Sequence, residues 1–287
     1  TLRDTCPARR CVAIQRCRPT ERMLHILAYS TPHSCRMLAC WMDWIRRMML
    51  HDTSGEYQLH LETHIPHGPP PGLKARNFSG NGEFWSPAWE AAQRDKVHST
   101  LVFMRDQVPE NATVLFTDLD VVPLGRYSTL LELLTQDHEV LWMRNPGFHP
   151  VNCGFFLMRN NPNVRAFLAR WRERLLPGGG NQALCNQLLL GEFGSSKSKT
   201  RRRSRRTLRW SLFPETLVRS GLSTQHVNGS TVAFHAIGAG DHSSKMRLVG
   251  DAFQALSNAT GRTRHPWQVG CSVSDRTSGC DTASFIT

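Results

Sequence analysis

Short apolar runs alternate with amphipathic segments along most of this chain. The apolar run at 23–29 predicts a buried core strand, and the alternation of apolar and polar residues at 57–62 predicts a second strand. Between them, a helix is predicted at 34–50, because large apolar residues recur there on one helical face. The same patterns predict further helices at 86–107, 130–134, 162–175 and 182–190, and further strands from 113 and at 139–143, 154–158, 210–213 and 231–235.

Strands that alternate with helices predict an α/β sandwich whose largely parallel central sheet is flanked by helices. We place a single domain at 21–255, after an irregular Cys- and Arg-rich segment at 1–20 and before a C-terminal tail at 256–287. Residues 65–82 are rich in Pro and Gly and predict a loop. No uninterrupted apolar window reaches the length of about 18 residues that a transmembrane helix needs.

Most of the net charge of +12 is concentrated in one segment. Residues 195–209 carry eight positive charges and no negative ones, which leaves +4 for the rest of the chain. Because this run has neither aromatic residues nor periodicity, it predicts a solvated, disordered insertion in the domain. An arm that binds RNA, a membrane surface or another polyanion is the alternative, and salt would weaken such binding steeply.

The nine cysteines bear on the compartment in which the protein folds. No Cys-x-x-Cys pair occurs, so the sequence does not indicate a structural zinc site. The cysteines near the two ends could form disulfides, whereas Cys153 and Cys185 fit buried free thiols equally well. Sequons for N-glycosylation, which occur in secreted glycoproteins but also by chance, lie at Asn77, Asn111, Asn228 and Asn258.

Two aspartates one residue apart, Asp118 and Asp120, follow the apolar run at 114–116. In a strand, alternation would place both side chains on one face, with Cα atoms roughly 6.5 Å apart. Two like charges this close, flanked by Leu, Phe and Val, repel each other where water is scarce. A hard divalent cation removes that repulsion and accepts oxygen ligands from both, and a phosphate could complete its coordination. The pattern therefore predicts a metal–diphosphate site at the end of a core strand.

A less specific interpretation of the two aspartates stays open. An Asp-x-Asp triplet arises easily by chance, and a carboxylate at a strand end often caps a turn. The apolar residues on both sides favour a metal, because charges seldom interrupt such a run without a partner. Open α/β sheets bind ligands beyond the carboxyl ends of their strands, where this pair would lie. Neither a Rossmann Gly-x-Gly-x-x-Gly loop nor a P-loop occurs in the sequence.

Three later segments complete a pattern that resembles a known family. They are the Asn-x-Gly-Phe-Phe segment at 152–156, the Asn-Gln pair at 181–182, and the Phe-His-Ala-Ile-Gly segment at 234–238, with Lys245 beyond it. In this order and with these gaps, the chain resembles the nucleotide-diphospho-sugar glycosyltransferases of GT-A fold over roughly residues 90–250. It is most similar to the plant and algal cell-wall type, with relatives among the xylosyl-, arabinosyl- and galactosyltransferases. The resemblance implies a GT-A-like single-domain sandwich.

The resemblance also implies roles for individual residues. In that family the Asp-x-Asp pair and a late histidine hold Mn²⁺ or Mg²⁺ on the diphosphate of the donor. This assigns Asp118, Asp120 and His235 to the metal in the present chain. The residues implied to contact the nucleotide-sugar donor are Lys96, Thr117, Asn152, Gly154, Gly238 and Lys245.

Several of these residues also have an ordinary structural interpretation. A lone histidine such as His235 is often packed in a core, and Lys96 or Lys245 could be an exposed surface lysine. The Asn-x-Gly segment at 152–154 could be a turn that leads into a strand. The functional interpretation adds that glycine allows close backbone approach and that asparagine offers both a hydrogen-bond donor and an acceptor.

One position departs from the family pattern. Asn181 stands where the family often has an acidic residue, and Asn181 and Gln182 are implied to lie near the anomeric carbon of the donor sugar. Because an amide does not ionise, Asn181 cannot act as nucleophile or base. The chemistry would then depend on metal-stabilised, substrate-assisted departure of the nucleotide diphosphate, or the protein would be inactive.

We therefore expect a metal-dependent glycosyltransferase, either hexosyl- or pentosyltransferase. It would move a sugar from a nucleotide-diphosphate donor, with UDP as the expected nucleotide, to a hydroxyl of a glycan or glycoprotein. The alternatives are a catalytically silent GT-A-like glycan-binding protein and a polyanion or RNA binder that uses the basic run. From the resemblance we also expect the secretory pathway, in the Golgi lumen. Membrane attachment is expected only through an anchor outside this chain, and nucleic acid is not expected as a partner.

Overall fold

The computed structural model describes residues 23–30, 35–63, 87–135, 137–175, 180–193, 207–237 and 242–262. Several predictions concern residues outside these ranges. They are the segment at 1–20, the loop at 65–82, residues 195–206 of the basic run, Gly238, and the tail beyond residue 262.

Two sheets and six helices make up the described part of the chain. The central sheet contains β1 (Met23–Ser30), β2 (Glu56–Thr63), β3 (Thr113–Thr117), β5 (Val140–Arg144), β6 (Val151–Arg159) and β7 (Trp210–Leu212). The smaller sheet contains β4 (Val121–Pro123), β8 (Val218–Ser220) and β9 (Ala233–His235). The helices are α1 (Cys35–His51), α2 (Pro87–Asp106), α3 (Ser128–Leu131), α4 (Pro162–Arg174), α5 (Asn181–Leu190) and α6 (His242–Thr260). Within the described ranges, no helix is both long and apolar enough to cross a membrane.

The central sheet is almost entirely parallel. Its strand order is β2-β1-β3-β6-β5-β7, and only β6 runs antiparallel to its neighbours. In the chain, α1 connects β1 to β2 and α2 precedes β3, as parallel pairing requires a crossover. The predicted α/β sandwich with a largely parallel sheet is confirmed. The carboxyl ends of β3 and β5 therefore meet at the same edge, beside the start of the antiparallel β6.

Alternation along the strands divides the core between the two faces of the sheet. Leu115 of β3 belongs to the same buried cluster as Trp41 of α1 and Phe253 of α6. The next residue, Phe116, belongs to a second cluster with Phe103 of α2. Because successive strand residues point to opposite faces, the four inner strands β1, β3, β6 and β5 each contribute to both clusters. Helices on both faces thus bury the sheet and fix the edge at which the strands end.

Most predicted elements are confirmed within a few residues. The start of α4 follows the predicted chemistry, since the Val164 N–H donates to the Asn161 side-chain oxygen at 2.9 Å and Pro162 opens the helix. Phe167 and Trp171 are buried on the predicted face of this helix. The two interior cysteines, Cys153 and Cys185, are free and buried, which is one of the two predicted possibilities.

Four elements differ from the sequence-based expectation. The helix predicted at 130–134 lies slightly earlier and is shorter, as α3. Strands β4 and β8 are not predicted because each is only three residues long. Helix α6 is not predicted because it opens with the mostly polar residues 242–247, so that its buried apolar face starts only at Leu248. Helix α6 also continues past residue 255, where the C-terminal tail was expected to begin.

The last residues of the basic run are packed rather than solvated. Leu208 is buried beside Phe103, in the cluster on the α2 side of the sheet. The Arg209 N–H donates to a Glu139 carboxylate oxygen at 3.0 Å, and the Glu139 N–H donates to the Arg209 carbonyl at 2.6 Å. The disorder predicted for 195–209 is therefore wrong for residues 207–209. These residues lead directly into β7, which belongs to the central sheet and anchors them.

A buried histidine pair joins the first two strands. His25 Nδ1 lies 3.3 Å from His60 Nε2, with the ring centroids 5.5 Å apart. The His60 ring also packs edge-on against Phe103. Burial lowers the pKa of His25 from 6.5 to about 4. Burial, followed by repulsion from His25, lowers the pKa of His60 from 6.5 to about 4. Both histidines are therefore neutral in the folded protein at pH values where the unfolded chain is already partly protonated.

We expect the free energy of unfolding to be highest above pH 6.5 and to fall as the pH drops from 6.5 toward 4. In that window the unfolded state binds protons that the folded state does not, so stability increases with pH. Urea denaturation at pH 7 and pH 5 measures the effect. The variant His60→Gln should reduce the pH dependence, whereas His51→Gln, an exposed position at the end of α1, should preserve it. An unchanged dependence in His60→Gln would contradict this assignment.

Candidate metal centre

The two aspartates lie in a tight turn at the carboxyl end of β3. The Val121 N–H donates to the Asp118 carbonyl at 3.2 Å, which closes a four-residue turn. Leu119, between the aspartates, is buried in the core. The prediction that strand alternation aligns the carboxylates is therefore wrong, because β3 ends at Thr117. The turn itself brings the two side chains together.

The smaller sheet adds a histidine to this turn. β4 pairs antiparallel with β9, which places His235 opposite Val121. His235 Nε2 lies 3.0 Å from an Asp120 carboxylate oxygen, and the Ala236 N–H donates to the Asp120 carbonyl at 3.0 Å. Asp118, Asp120 and His235 each present one potential ligand atom, and these atoms lie within 4.8 Å of one another. The three residues that the resemblance assigned to the metal are thus brought together.

Two lysines pair with the two aspartates. Lys96 Nζ, on α2, lies 2.6 Å from an Asp118 carboxylate oxygen and 4.9 Å from the centroid of the Phe116 ring. Lys245 Nζ, on α6, lies 2.5 Å from an Asp120 carboxylate oxygen. Lys96 is buried and Lys245 is half-buried, so neither is an ordinary surface lysine. The paired lysines offset the repulsion between the two carboxylates.

The electrostatics of the cluster keep the Asp120 carboxylate ionised. Burial alone would raise the pKa of Asp120, but interactions with His235 and Lys245 outweigh burial and lower that pKa below its ordinary value. Burial would lower the pKa of Lys245, but Asp120, with a smaller contribution from Asp118, raises it. The ionised carboxylate is the form that ligates a metal, so the site is prepared for a cation at neutral pH.

A glycine from β6 completes the cluster. The Asp118 N–H donates to the Gly154 carbonyl at 2.7 Å, and the Gly154 N–H donates to the Asn152 side-chain oxygen at 2.7 Å. A Cβ atom on Gly154 would lie 2.5 Å from His235 Cε1 and 2.6 Å from an Asp118 carboxylate oxygen. Glycine at this position therefore leaves the space in which the ligand side chains converge.

The donor set fits a divalent cation. Carboxylate oxygens are the ligands that Mg²⁺ and Mn²⁺ prefer, and an imidazole nitrogen also binds first-row transition metals. In the described structure the two lysine ammonium groups supply the positive charge beside these carboxylates. The His235 Nδ1 atom is buried and has no hydrogen-bond partner in the described part of the chain. This nitrogen is therefore available to donate a hydrogen bond to a bound group or to act as a ligand.

Asn181 lies on the helix next to the cluster. Its side-chain amide donates to the Gln93 side-chain oxygen at 2.9 Å, and Gln93 lies one helical turn before Lys96 on α2. The Asn181 side-chain oxygen is buried and has no partner among the residues described. Gln182 is half-buried, and its backbone carbonyl accepts a hydrogen bond from the Asn186 side chain at 2.8 Å. Asn181 therefore offers a free acceptor atom near the lysine that binds Asp118.

Thr117 plays a different part from the other donor-binding candidates. It is fully buried, and its hydroxyl donates to the Asp118 carbonyl at 3.0 Å, so it supports the turn. Gly238 lies outside the described residues.

Two residues that organise the site are not predicted from the sequence. Gln93 accepts a hydrogen bond from Asn181 and orients it. Gln93 lies three residues before Lys96 on the same side of helix α2, and this spacing is the sequence signal that could have identified Gln93. Asn186 ties α5 to the start of β6, since it accepts from the Val151 N–H and donates to the Val151 carbonyl, both at 2.9 Å. An asparagine inside an otherwise apolar helix is the corresponding signal for Asn186.

A family model described as nucleotide-diphospho-sugar transferase matches residues 86–249, which is more than half of the chain. The chain belongs to the nucleotide-diphospho-sugar transferase family. The matched region contains the aspartates, His235 and both lysines of the cluster. No curated protein matches the sequence of this transferase.

Several solved glycosyltransferases are similar in structure to this nucleotide-sugar transferase. A glycosyltransferase involved in the glycosylation of the major capsid of PBCV-1 is similar with a TM-score of 0.51 and 10% identity, over 79% of this chain and 99% of that chain. The galactosyltransferase LgtC, in complex with donor and acceptor sugar analogs, gives a TM-score of 0.42 and 10% identity, over 81% of this chain and 96% of that chain. Mouse xyloside xylosyltransferase 1 gives 0.41 and 9%, over 75% of this chain and 98% of that chain. The first similarity agrees with the predicted GT-A-like sandwich.

We expect Gly154→Ala to fold but to bind Mn²⁺ on the order of 10- to 100-fold more weakly, a loss typical of disturbed metal-ligand orientation. The added methyl group would displace Asp118 and His235 from each other. Isothermal titration with Mn²⁺ measures the affinity, and far-UV circular dichroism checks the fold.

The matched control is Gly250→Ala on α6, where a Cβ atom meets nothing within 4 Å. This variant should keep the affinity for Mn²⁺ and be slightly more stable, because alanine is a better helix former than glycine. Equal metal affinity in Gly154→Ala and the unsubstituted protein would show that Asp118 and His235 do not share a ligand site.

Proposed function

We propose that this transferase moves a sugar from a nucleotide-diphosphate sugar, with UDP as the nucleotide, to a hydroxyl of a glycan or protein, and that it uses Mn²⁺ or Mg²⁺. The observation that carries the proposal is the convergence of two carboxylates and one imidazole within 4.8 Å, beside two lysines. In a nucleotide-diphospho-sugar transferase, a cation site at the carboxyl end of the sheet suits the diphosphate of the donor.

Asp118, Asp120 and His235 would hold the cation. When bound, the cation acts as a Lewis acid on the diphosphate and offsets the charge that develops as the glycosidic bond breaks. Asp120 and His235 are buried, and the pairing of β4 with β9 together with the Ala236–Asp120 backbone hydrogen bond would hold these ligands in place before the donor binds.

Lys96 and Lys245 would bind the phosphate groups of the donor. Each ammonium group lies beside one proposed metal ligand, Lys96 at Asp118 and Lys245 at Asp120. With the aspartates holding the cation, the two ammonium groups would direct their charge to the phosphate oxygens and stabilise the nucleotide diphosphate as it departs.

The sugar would lie on the side of the site formed by β6 and α5. Asn152 and Gly154 are beside the cluster, and the unpaired side-chain oxygen of Asn181 could accept a hydrogen bond from a sugar hydroxyl. An amide at position 181 cannot take up a proton from the acceptor. We therefore propose that Asn181 orients the donor sugar and that departure of the diphosphate drives the transfer.

A second candidate function is binding of a glycan without turnover. The amide at Asn181 favours it, because no ionisable side chain stands at that position. The two functions differ in whether nucleotide diphosphate is released from the donor.

We expect UDP and Mn²⁺ together to raise the melting temperature by about 5–10 °C when each is at roughly 100 times its dissociation constant. GDP and CMP, and each nucleotide without metal, should give smaller shifts. In parallel, release of UDP from UDP-sugars should require the metal and should be lost in Asp118→Asn. The side chain of Asp118 is 29% exposed, so this variant is expected to fold.

The matched control is Asp137→Asn, which removes the same charge from an exposed loop and should leave turnover intact. Metal-independent turnover, or full activity of Asp118→Asn, would refute the metal assignment. Binding of a glycan with no release of nucleotide from any donor would select the second candidate function.

A further inference from the structure

A separate cavity of about 170 Å³ lies between the end of β5 and strand β8. Six of the nine residues that line it are polar or charged: Arg144, Glu215, Arg219, Ser220, Ser223 and His226. None of these residues belongs to the metal cluster, and the functional assignments above do not use them.

Two residues of the cavity wall lie at the same edge of the sheets as the metal cluster. Arg144 ends β5, which runs parallel to β3, so Arg144 and Asp118 follow strands that finish at one edge of the sheet. On the other side, Ser220 of β8 is the ladder partner of His235, and neighbouring strands lie about 4.8 Å apart. The Ser220 hydroxyl donates to the Arg144 carbonyl at 2.6 Å and joins the two walls. The cavity therefore begins one strand away from a proposed metal ligand.

The charge in the cavity is not balanced. Arg144 Nε and Arg219 Nη1 each lie 4.0 Å from the Glu215 carboxylate, at the limit of an ion pair. The Glu215 side chain is 61% exposed, so solvent screens both pairs and they contribute little. Two guanidinium groups face one carboxylate, which leaves a positive charge inside the cavity.

Arg219 also carries a donor that no partner satisfies. Its side chain is only 20% exposed, and its Nε–H is buried with no hydrogen-bond acceptor within the described ranges. A buried, unpaired donor on a charged group is costly, and an anion that enters the cavity would pair with it. The planar guanidinium matches the oxygens of a carboxylate or sulfate group.

Two exposed apolar side chains lie close in sequence to residues of the cavity wall. Phe148, 96% exposed, lies two residues after Pro146, and Leu222, 68% exposed, directly precedes Ser223. A sugar ring has one apolar face that packs on an aromatic ring, so an exposed phenylalanine at this position favours a glycan over an acidic peptide.

We propose that this cavity is an acceptor subsite that binds the carboxylate or sulfate group of an acidic glycan. This inference rests on the proposed glycosyltransferase function and specifies its acceptor. Arg219 and Arg144 hold the anionic group, Phe148 packs against a sugar ring, and an adjoining hydroxyl is directed toward the donor at the metal cluster.

The test compares transfer to neutral oligosaccharides with transfer to their uronic-acid and sulfated counterparts. The unsubstituted protein should have the higher kcat/KM for at least one acidic series. In Arg219→Met, the ratio of acidic to neutral kcat/KM should fall about tenfold through a raised KM, as expected for loss of a charge-assisted hydrogen bond. Arg219→Lys should recover part of the ratio, because it keeps the charge but not the planar fork.

Arg105→Met, an exposed position at the end of α2, is the matched control and should leave the ratio unchanged. Because the readout is a ratio, partial misfolding of a variant does not mimic the effect. Equal use of neutral and acidic glycans, an unaltered ratio in Arg219→Met, or transfer only to acidic peptides would overturn the proposal. The uronic-acid and sulfated series show which anion is bound. Release of UDP in the presence of each acceptor is measured alongside, and its absence with every neutral and acidic acceptor in the unsubstituted protein would refute the proposed function and not the subsite alone.

Discussion

Asp118 and Asp120 are held close together by a turn whose ends are fixed in two different sheets. β3 is buried in the central sheet, β4 pairs with β9, and Leu119 is anchored in the core between the aspartates. The two carboxylates therefore cannot move apart without disturbing the core on either side. Their repulsion has to be offset, and in the described structure Lys96 and Lys245 do so. Much of the surrounding architecture serves to bring these cations to the turn.

The same constraint explains why so many elements meet at one edge of the sheet. α2 supplies Lys96, α6 supplies Lys245 and β9 supplies His235. β6 supplies Gly154, whose lack of a side chain leaves room for the ligand side chains to converge. The proposed ligands are fixed by these elements independently of any bound group. Such a site loses little conformational entropy when a cation and a diphosphate bind, which is the general advantage of preorganisation.

Local signals in the sequence were sufficient for seven of the nine strands, most helices and the aspartate pair, whereas the family resemblance was needed to assign His235 to the metal cluster. The apolar runs predict β1, β3 and β5, and the Asn-Pro pair at 161–162 predicts the start of α4, because these features depend on neighbours along the chain. The pairing of β4 with β9 could not be predicted, since three-residue strands show no periodicity and their partners are far apart in sequence. The lysine–aspartate pairs were not predicted for the same reason, since each pair joins residues that are far apart in sequence. The position of Lys245 in particular depends on how helix α6 packs in the tertiary structure. Arg144 could have been found, because it follows a core strand at the same edge as Asp118.

The account is tested most directly by anomalous diffraction from crystals of this protein grown with Mn²⁺ and UDP. We predict a single strong manganese peak within about 2.2 Å of Asp118, Asp120 and His235. Lys96 and Lys245 should be displaced from the aspartates toward the phosphate oxygens of UDP. Manganese bound elsewhere, or lysines that remain paired with Asp118 and Asp120 while UDP is bound, would contradict the account.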